Sequence, residues 1–229
     1  MPPVARFPDP KHASSDGLLA IGGDLHPQSL LLAYQNGIFP WPLTPSPGAE
    51  PPFDKQETMP LTWFAPPERA VLNFNKIHIP RSLARALKKS PYRMSIDEAF
   101  PAVIERCREL RIREGTWLTD DMIRAYTELH RLGIAHSAEV WRDLDLVGGI
   151  YGVDVDGAFA GESMFHEEPN TSKIALLHLI QHLKERGLDW IDIQVMTPHM
   201  KALGAEVMTR DDFHVRLQQT RARKLRLFP

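Results

Sequence analysis

An aspartate and a glutamine two positions apart, Asp192 and Gln194, stand in the run Leu188 to Met196 among Ile191, Ile193 and Val195. Side chains alternate across a strand, so this spacing predicts a central strand turning both polar groups to one face. A buried polar group without a partner costs about 1–3 kcal/mol. The two therefore either satisfy each other in a structural network or face a cleft where they handle a substrate. Glu162 is the only charged residue of Gly161-Glu162-Ser163-Met164-Phe165. It reads either as a half-exposed strand acid or as a carboxylate that binds or relays protons beside Asp192.

Other reactive groups point to fewer chemistries. His178 and His182 have i, i+4 spacing, but no Glu completes an HExxH frame and no third ligand is evident, so no metal is expected. Cys107 is the single cysteine, which excludes an internal disulfide and favours a reducing compartment. No nucleophile elbow or Walker loop is present. Arg81, Arg85, Lys88 and Lys89 recur at helical spacing and form one basic face on a chain of net charge −2. That face is either solvated or a contact for a phosphate backbone. A second basic run, Arg221 to Arg226, reads as a frayed tail or an auxiliary contact. The aromatic residues Tyr34, Phe39, Trp41, Trp117, Tyr126 and Phe159 line a pocket or fill the core, and spacing alone singles none out.

The elements that must position these groups fall into two parts. A chain of 229 residues, 43% hydrophobic, buries one large core or a small and a medium one. Proline and glycine concentrate before residue 70, and Pro42 to Pro52 suits neither helix nor central strand. The division expected is a small N-terminal domain over 1–62, with its Pro-rich connection, and a larger domain over 63–229. In the first, Asp24, Pro27 and Gly37 bracket a short helix. In the second, Arg81 to Lys89 reads as a helix, and Ser95-Ile96-Asp97-Glu98 has capping-box spacing ahead of another running to about Leu110. A helix from Thr119 or Asp120 precedes three meandering strands, 135–141, 146–153 and 158–165, with a hairpin signal at Asp156-Gly157. A helix over 172–186 leads to the strand of Asp192. This order predicts an α+β domain of the GNAT acyltransferase type. No stretch approaches the ~18 apolar residues of a membrane span, and the N-terminus lacks a signal-peptide core, so a cytoplasmic protein is expected.

Acyl-CoA-dependent transferases of this fold grip pyrophosphate with a glycine-containing loop after the third meander strand. Here Glu162 to Arg186 contains no glycine. Ser172, at the Thr171-Ser172-Lys173 helix start, is either a plain N-cap or part of a phosphate site.

Together these segments resemble the bacterial leucyl/phenylalanyl-tRNA–protein transferases. The resemblance runs from FPDPKHASSDGLLAIGGDLHPQSLLLAYQNGIFPW (Phe7 to Trp41) through REGTWLTDDMIRAY, AHSAEVW, LVGGIYGV, GESMF, NTSKIALLHLI and IDIQV to Leu203-Gly204-Ala205. It implies a GNAT-like C-terminal domain. The implied activity moves leucine or phenylalanine, less readily methionine, from aminoacyl-tRNA to an N-terminal Arg or Lys, marking the acceptor for N-end rule degradation. Amide formation from an ester is downhill, so no cofactor is implied, and a monomer is the default. By motif matching, Asp192, Gln194 and Glu162 fall on the family's polar active-site positions. Asp192 is expected to orient the acceptor amine or take its proton, and Glu162 to bind the cationic acceptor. Tyr34, Trp41, Trp117, Tyr126, Ile150, Phe159 and Met164 fall on pocket positions, and Arg81, Arg85, Lys88 and Lys89 on a tRNA-contacting helix. The chain departs from the family pattern at Ala65, Ala84, Ile150 and His166.

Overall fold

The computed structural model describes residues 3–41, 60–88, 91–110 and 118–229. The Pro-rich stretch, Trp117 and Lys89 lie outside the described residues. Two sheets organise the rest. The small one has the order β1 (Leu18–Ile21), β3 (Thr62–Phe64), β2 (Phe39–Pro40), all antiparallel. Helix α1 (Pro27–Gln35) precedes β2, its first turn opened by Pro27 and closed off by the His26 side chain, which accepts from Gln28 N.

The large sheet has seven strands in the order β10 (Glu206–Thr209), β4 (Glu68–Asn73), β9 (Trp190–Asp192), β8 (Ala158–His166), β7 (Asp145–Val155), β6 (Ala135–Arg142), β5 (Arg93–Ile96). All neighbours are antiparallel except β8 and β9. Those two are parallel because α5 (Thr171–Glu185) crosses between them, as parallel pairing requires. This is the mixed α+β architecture expected of a GNAT-like lobe. The β7–β8 hairpin turns on Asp156 and Gly157, both at positive φ, the conformation that matches strand twist.

Successive residues of β7 show how the sheet is covered. A Cβ on Gly148 would meet Thr171, the first residue of α5, and one on Gly149 would meet Val103 of α3 (Phe100–Glu109). Adjacent strand residues point to opposite faces, so α3 and α5 sandwich the sheet. Helix α4 (Asp120–Arg131) packs on β6 beside α3. Helix α7 (Arg210–Ala222) covers β4 and β10.

Three local expectations are corrected. Ser95 and Ile96 belong to β5, and Ala99 stands at the start of α3 without a side-chain cap. Its N–H is met instead by Oε1 of the buried Glu139, 3.3 Å away. A carboxylate distant in sequence replaces the local capping box. Strand β9 ends at Asp192, short of Gln194. The C-terminal basic run is not frayed: Arg221 pairs with Asp156 at the end of α7, Arg223 donates to Gly187 O, and beyond the run Leu227 is buried and Phe228 stacks on His136 with ring centroids 3.5 Å apart.

Among the described residues no helix is long and apolar enough to cross a membrane. Gly148→Ala places a methyl carbon 2.6 Å from Thr171 Cβ. This substitution is expected to destabilise the protein by about 1–3 kcal/mol through overpacking, measured by urea unfolding.

Candidate active site

The site opens where two parallel strands part. β8 and β9 share one register pair, Ala160 with Asp192. β8 then runs on to His166, whereas β9 stops, so the sheet has a gap beyond Asp192. A cavity of about 530 Å³ occupies that region, walled by Ile150, Met164, Leu176, Ile191, Ile193 and Met200. Glu162 and Gln194 bring polar groups to it, and Trp41, Leu110 and Val195 add exposed apolar rim.

Gln194 reaches the cavity by a turn. Its φ is +54°, a left-handed conformation that costs a non-glycine residue roughly 1–2 kcal/mol. Its N–H donates to Asp192 Oδ1 at 2.9 Å, and its carbonyl accepts from Ala70 N at 3.0 Å. These bonds hold the turn and aim the amide so that Gln194 Nε2 donates to Glu162 Oε1 at 3.1 Å.

Asp192 is oriented away from this space. Arg69, on β4, donates from Nε to Oδ1 at 2.8 Å and from Nη2 to Oδ2 at 2.6 Å. The guanidinium is 2% exposed, lies 4.6 Å from the Phe39 and Phe213 ring centres, and donates to Gly37 O at 3.0 Å. Asp192 does not line this cavity but borders a separate void of about 10 Å³ with Trp190, Phe213 and Leu217. Removing one partner of such a buried pair costs about 3–5 kcal/mol. The strand-face reading of Asp192 and Gln194 as neighbours in a cleft is thus replaced by a different link: the carboxylate braces the backbone that presents the amide.

Among the described residues, Glu162 is the carboxylate that lines the cavity. Its Oε1 accepts from Tyr34 Oη at 2.8 Å as well as from Gln194, and Tyr126 Oη lies 3.4 Å from Oε2. Tyr34 donates to Glu162, and its hydroxyl lies 2.5 Å from that of Tyr126, which itself donates to Glu162 Oε2. Burial and the Glu162 charge push both phenols up, so they stay protonated donors. For Glu162, burial dominates and the Asp192 charge adds to it, while the Tyr34 bond, the Arg69 charge and the Tyr126 bond oppose. The result is a carboxyl raised to about 7.

The expected site residues therefore separate by depth. Glu162, Gln194, Ile150, Met164 and Trp41 line the cavity; Tyr34 and Tyr126 stand behind Glu162. Phe159 is 1% exposed and packs near Gly152 and Phe228, away from the cavity, so it is corrected to a core residue. Arg81, Arg85 and Lys88 are exposed on α2 (Arg81–Lys88), and none of them lines the cavity. Sequence reasoning missed Arg69, whose one signal is a charge beside the apolar run Ala70-Val71-Leu72. It also missed Leu176, His199 and Met200, which converge on the cavity from different helices. Among the described residues no group of three or more His, Cys, Asp or Glu is arranged to hold a metal ion.

The family model described as leucyl/phenylalanyl-tRNA protein transferase matches residues 71–218, and its N-terminal domain model matches 23–48. The chain belongs to this family. Relatives named leucyl/phenylalanyl-tRNA–protein transferase include one from Anaeromyxobacter sp. (strain K), 45% identical over 95% of this chain and 88% of its own. Another, from Shewanella sp. (strain W3-18-1), is 46% identical over 96% and 89%. Among solved structures, L-PGS from Bacillus licheniformis aligns at a TM-score of 0.40 and 13% identity, over 75% of this chain and 51% of that one. A ribosomal-protein-alanine N-acetyltransferase from Brucella melitensis aligns at 0.30 and 17%, over 42% and 73%. These structural scores are too low to bear on the family's chemistry.

The raised carboxyl of Glu162 has a consequence for stability. Its folded value of about 7 exceeds the ordinary 4.5, so the folded state holds this proton more tightly. Its contribution is full below the ordinary value and is lost as pH rises through the folded one. Glu162→Gln, a neutral isostere, is expected to gain stability relative to the native chain across that interval and to level off above it. Urea unfolding of both proteins at about pH 5 and about pH 8 checks this.

Proposed function

We propose that this protein transfers leucine or phenylalanine, and less readily methionine, from aminoacyl-tRNA to the N-terminal Arg or Lys of acceptor proteins. The new peptide bond marks the acceptor for N-end rule degradation in the cytoplasm. The observation that carries this reading is a cavity whose apolar wall of Ile150, Met164, Leu176 and Met200 adjoins Glu162 and Gln194, in a chain whose relatives are named for aminoacyl-tRNA and protein.

The reaction needs an uncharged amine. A peptide α-ammonium has an ordinary pKa near 8, so giving its proton to a carboxyl at about 7 costs only about 1.4 kcal/mol. Against an ordinary carboxyl the same transfer costs about 5 kcal/mol. Glu162, not Asp192, is then the proton acceptor. The freed nitrogen attacks the ester carbonyl, and Gln194 Nε2 is within reach to donate to the developing oxyanion. As the C–O bond to the terminal ribose breaks, protonated Glu162 gives its proton to that oxygen, and the second proton of the attacking nitrogen, shed as the amide forms, leaves to solvent. Asp192 acts by holding Gln194. Tyr34 and Tyr126 keep Glu162 in place.

The donor side chain lies along Ile150, Met164, Leu176 and Met200, with Trp41 at the mouth beside the terminal adenosine. A wall without polar groups selects by shape. Each methylene is worth only ~1–3 kcal/mol, which fits a preference spread over Leu, Phe and Met. The exposed cations Arg81, Arg85 and Lys88 suit backbone phosphates, whose contacts do not depend on sequence.

Transfer of labelled leucine from Leu-tRNA to peptides beginning with Arg, Lys, Asp or Met tests the proposal. Arg and Lys peptides are expected to be labelled; activity with acetyl-CoA and none with charged tRNA would instead support a CoA-dependent N-acyltransferase. Binding of tRNA without any transfer would leave a non-catalytic binding module. The kcat/KM profile is expected to rise with an apparent pKa near 7, and Glu162→Gln to lose that limb together with about 10²–10⁴-fold in rate. Arg85→Glu and Lys88→Glu should each weaken tRNA binding and reduce the slope of log K against log salt by about one. Filter binding across a salt series reads this directly.

A further inference from the structure

The end of the cavity away from Glu162 is rich in donors. His166 closes β8, Ser172 lies in the first turn of α5, and His199 is on α6 (Pro198–Ala202); all three line the cavity. Nε2 of His199 is buried and has no hydrogen-bond partner among the described residues. The same holds for Oγ of Ser163, a cavity residue only 6% exposed. Asn170 stands at the start of α5 in a left-handed conformation, and its side chain caps no N–H. The helix therefore presents free amide donors and its positive end. Lys173 Nζ has Asn170 Oδ1 at 3.5 Å. Burial first, then the charges of Lys173 and His166, hold His199 below the ordinary imidazole range. No carboxylate counts among the groups acting on His199.

We propose that His166, Ser172, Lys173 and His199 form an anion subsite for the phosphodiester joining the last two nucleotides of the acyl donor. This rests on the transferase reading above. His166 stands four positions beyond Glu162 on β8, about 13 Å at ~3.3 Å per step. One strand thus presents the reacting ester at one end and the phosphate at the other, which fixes the terminal adenosine between two anchors. Free phosphate esters such as the coenzyme A pyrophosphate share this chemistry. A single diester fits better, because one lysine beside two imidazoles matches one negative charge, and the neighbouring carboxylates Glu167 and Glu168 are paired with Arg106 and Arg142.

The test compares the dinucleotide cytidylyl-adenosine with adenosine, titrated calorimetrically into the full chain. The dinucleotide is expected to bind about tenfold more tightly at low salt, the effect of one charge-assisted contact. Its slope of log K against log salt should exceed that of adenosine by about 0.7. His199→Ala, and separately His166→Ser at the exposed position, should bring the dinucleotide down toward adenosine and remove the extra slope. Equal binding of the two ligands by the native chain overturns the inference, as does an advantage that survives both substitutions. Tighter, His199-dependent binding of coenzyme A reassigns the subsite to a pyrophosphate and overturns it equally. Transfer assays run alongside separate the two claims. A His199-dependent advantage without transfer keeps the subsite and removes the aminoacyl reading; transfer without that advantage does the opposite.

Discussion

A guanidinium buried between two phenylalanine rings organises the centre of this molecule. Arg69 is bidentate to Asp192, and the pair joins β4 to β9 with side chains in addition to the backbone ladder. Desolvating both charges is expensive, so the pair contributes geometry more than stability. What it fixes is the end of a strand. With Asp192 held, its Oδ1 receives the N–H of Gln194 and the backbone takes its left-handed turn. The gap between β8 and β9 and the amide at its edge both follow from this arrangement.

The same pair acts on Glu162 through its field. Asp192 raises the carboxyl and Arg69 lowers it, so the two oppose each other, and burial is the largest influence. A lone Asp192 anion would push Glu162 further up, and a lone guanidinium would pull it down. Pairing keeps either charge alone from moving the carboxyl far from its value of about 7.

Local signals made much of the fold legible. The meander, its Asp156-Gly157 hairpin and the long helix before β9 all lie where turn chemistry and periodicity put them. Glu162 was visible as the lone charge of its strand. The capping-box motif misled because Glu139, more than forty residues away in sequence, supplies the bond that Ser95 was expected to make. Alternation put Asp192 and Gln194 on one face because it cannot register a strand that ends between them. Arg69 escaped notice for a related reason: its partner is 123 residues distant, and a charged residue at the head of an apolar strand reads as a surface position. Phe159 matched a pocket position by motif, but Gly152 and the C-terminal Phe228 surround it. In each case a contact between distant segments outweighed the local pattern.

The tyrosine relay has an evolutionary and practical implication. Tyr34 belongs to the helix beside the small sheet, yet its hydroxyl is bonded to the ionisable group of the large one. The helix next to the small sheet therefore supplies a donor to a carboxyl on the large one. Replacing that helix would remove a hydrogen bond along with a scaffold, so the two segments are constrained to change together.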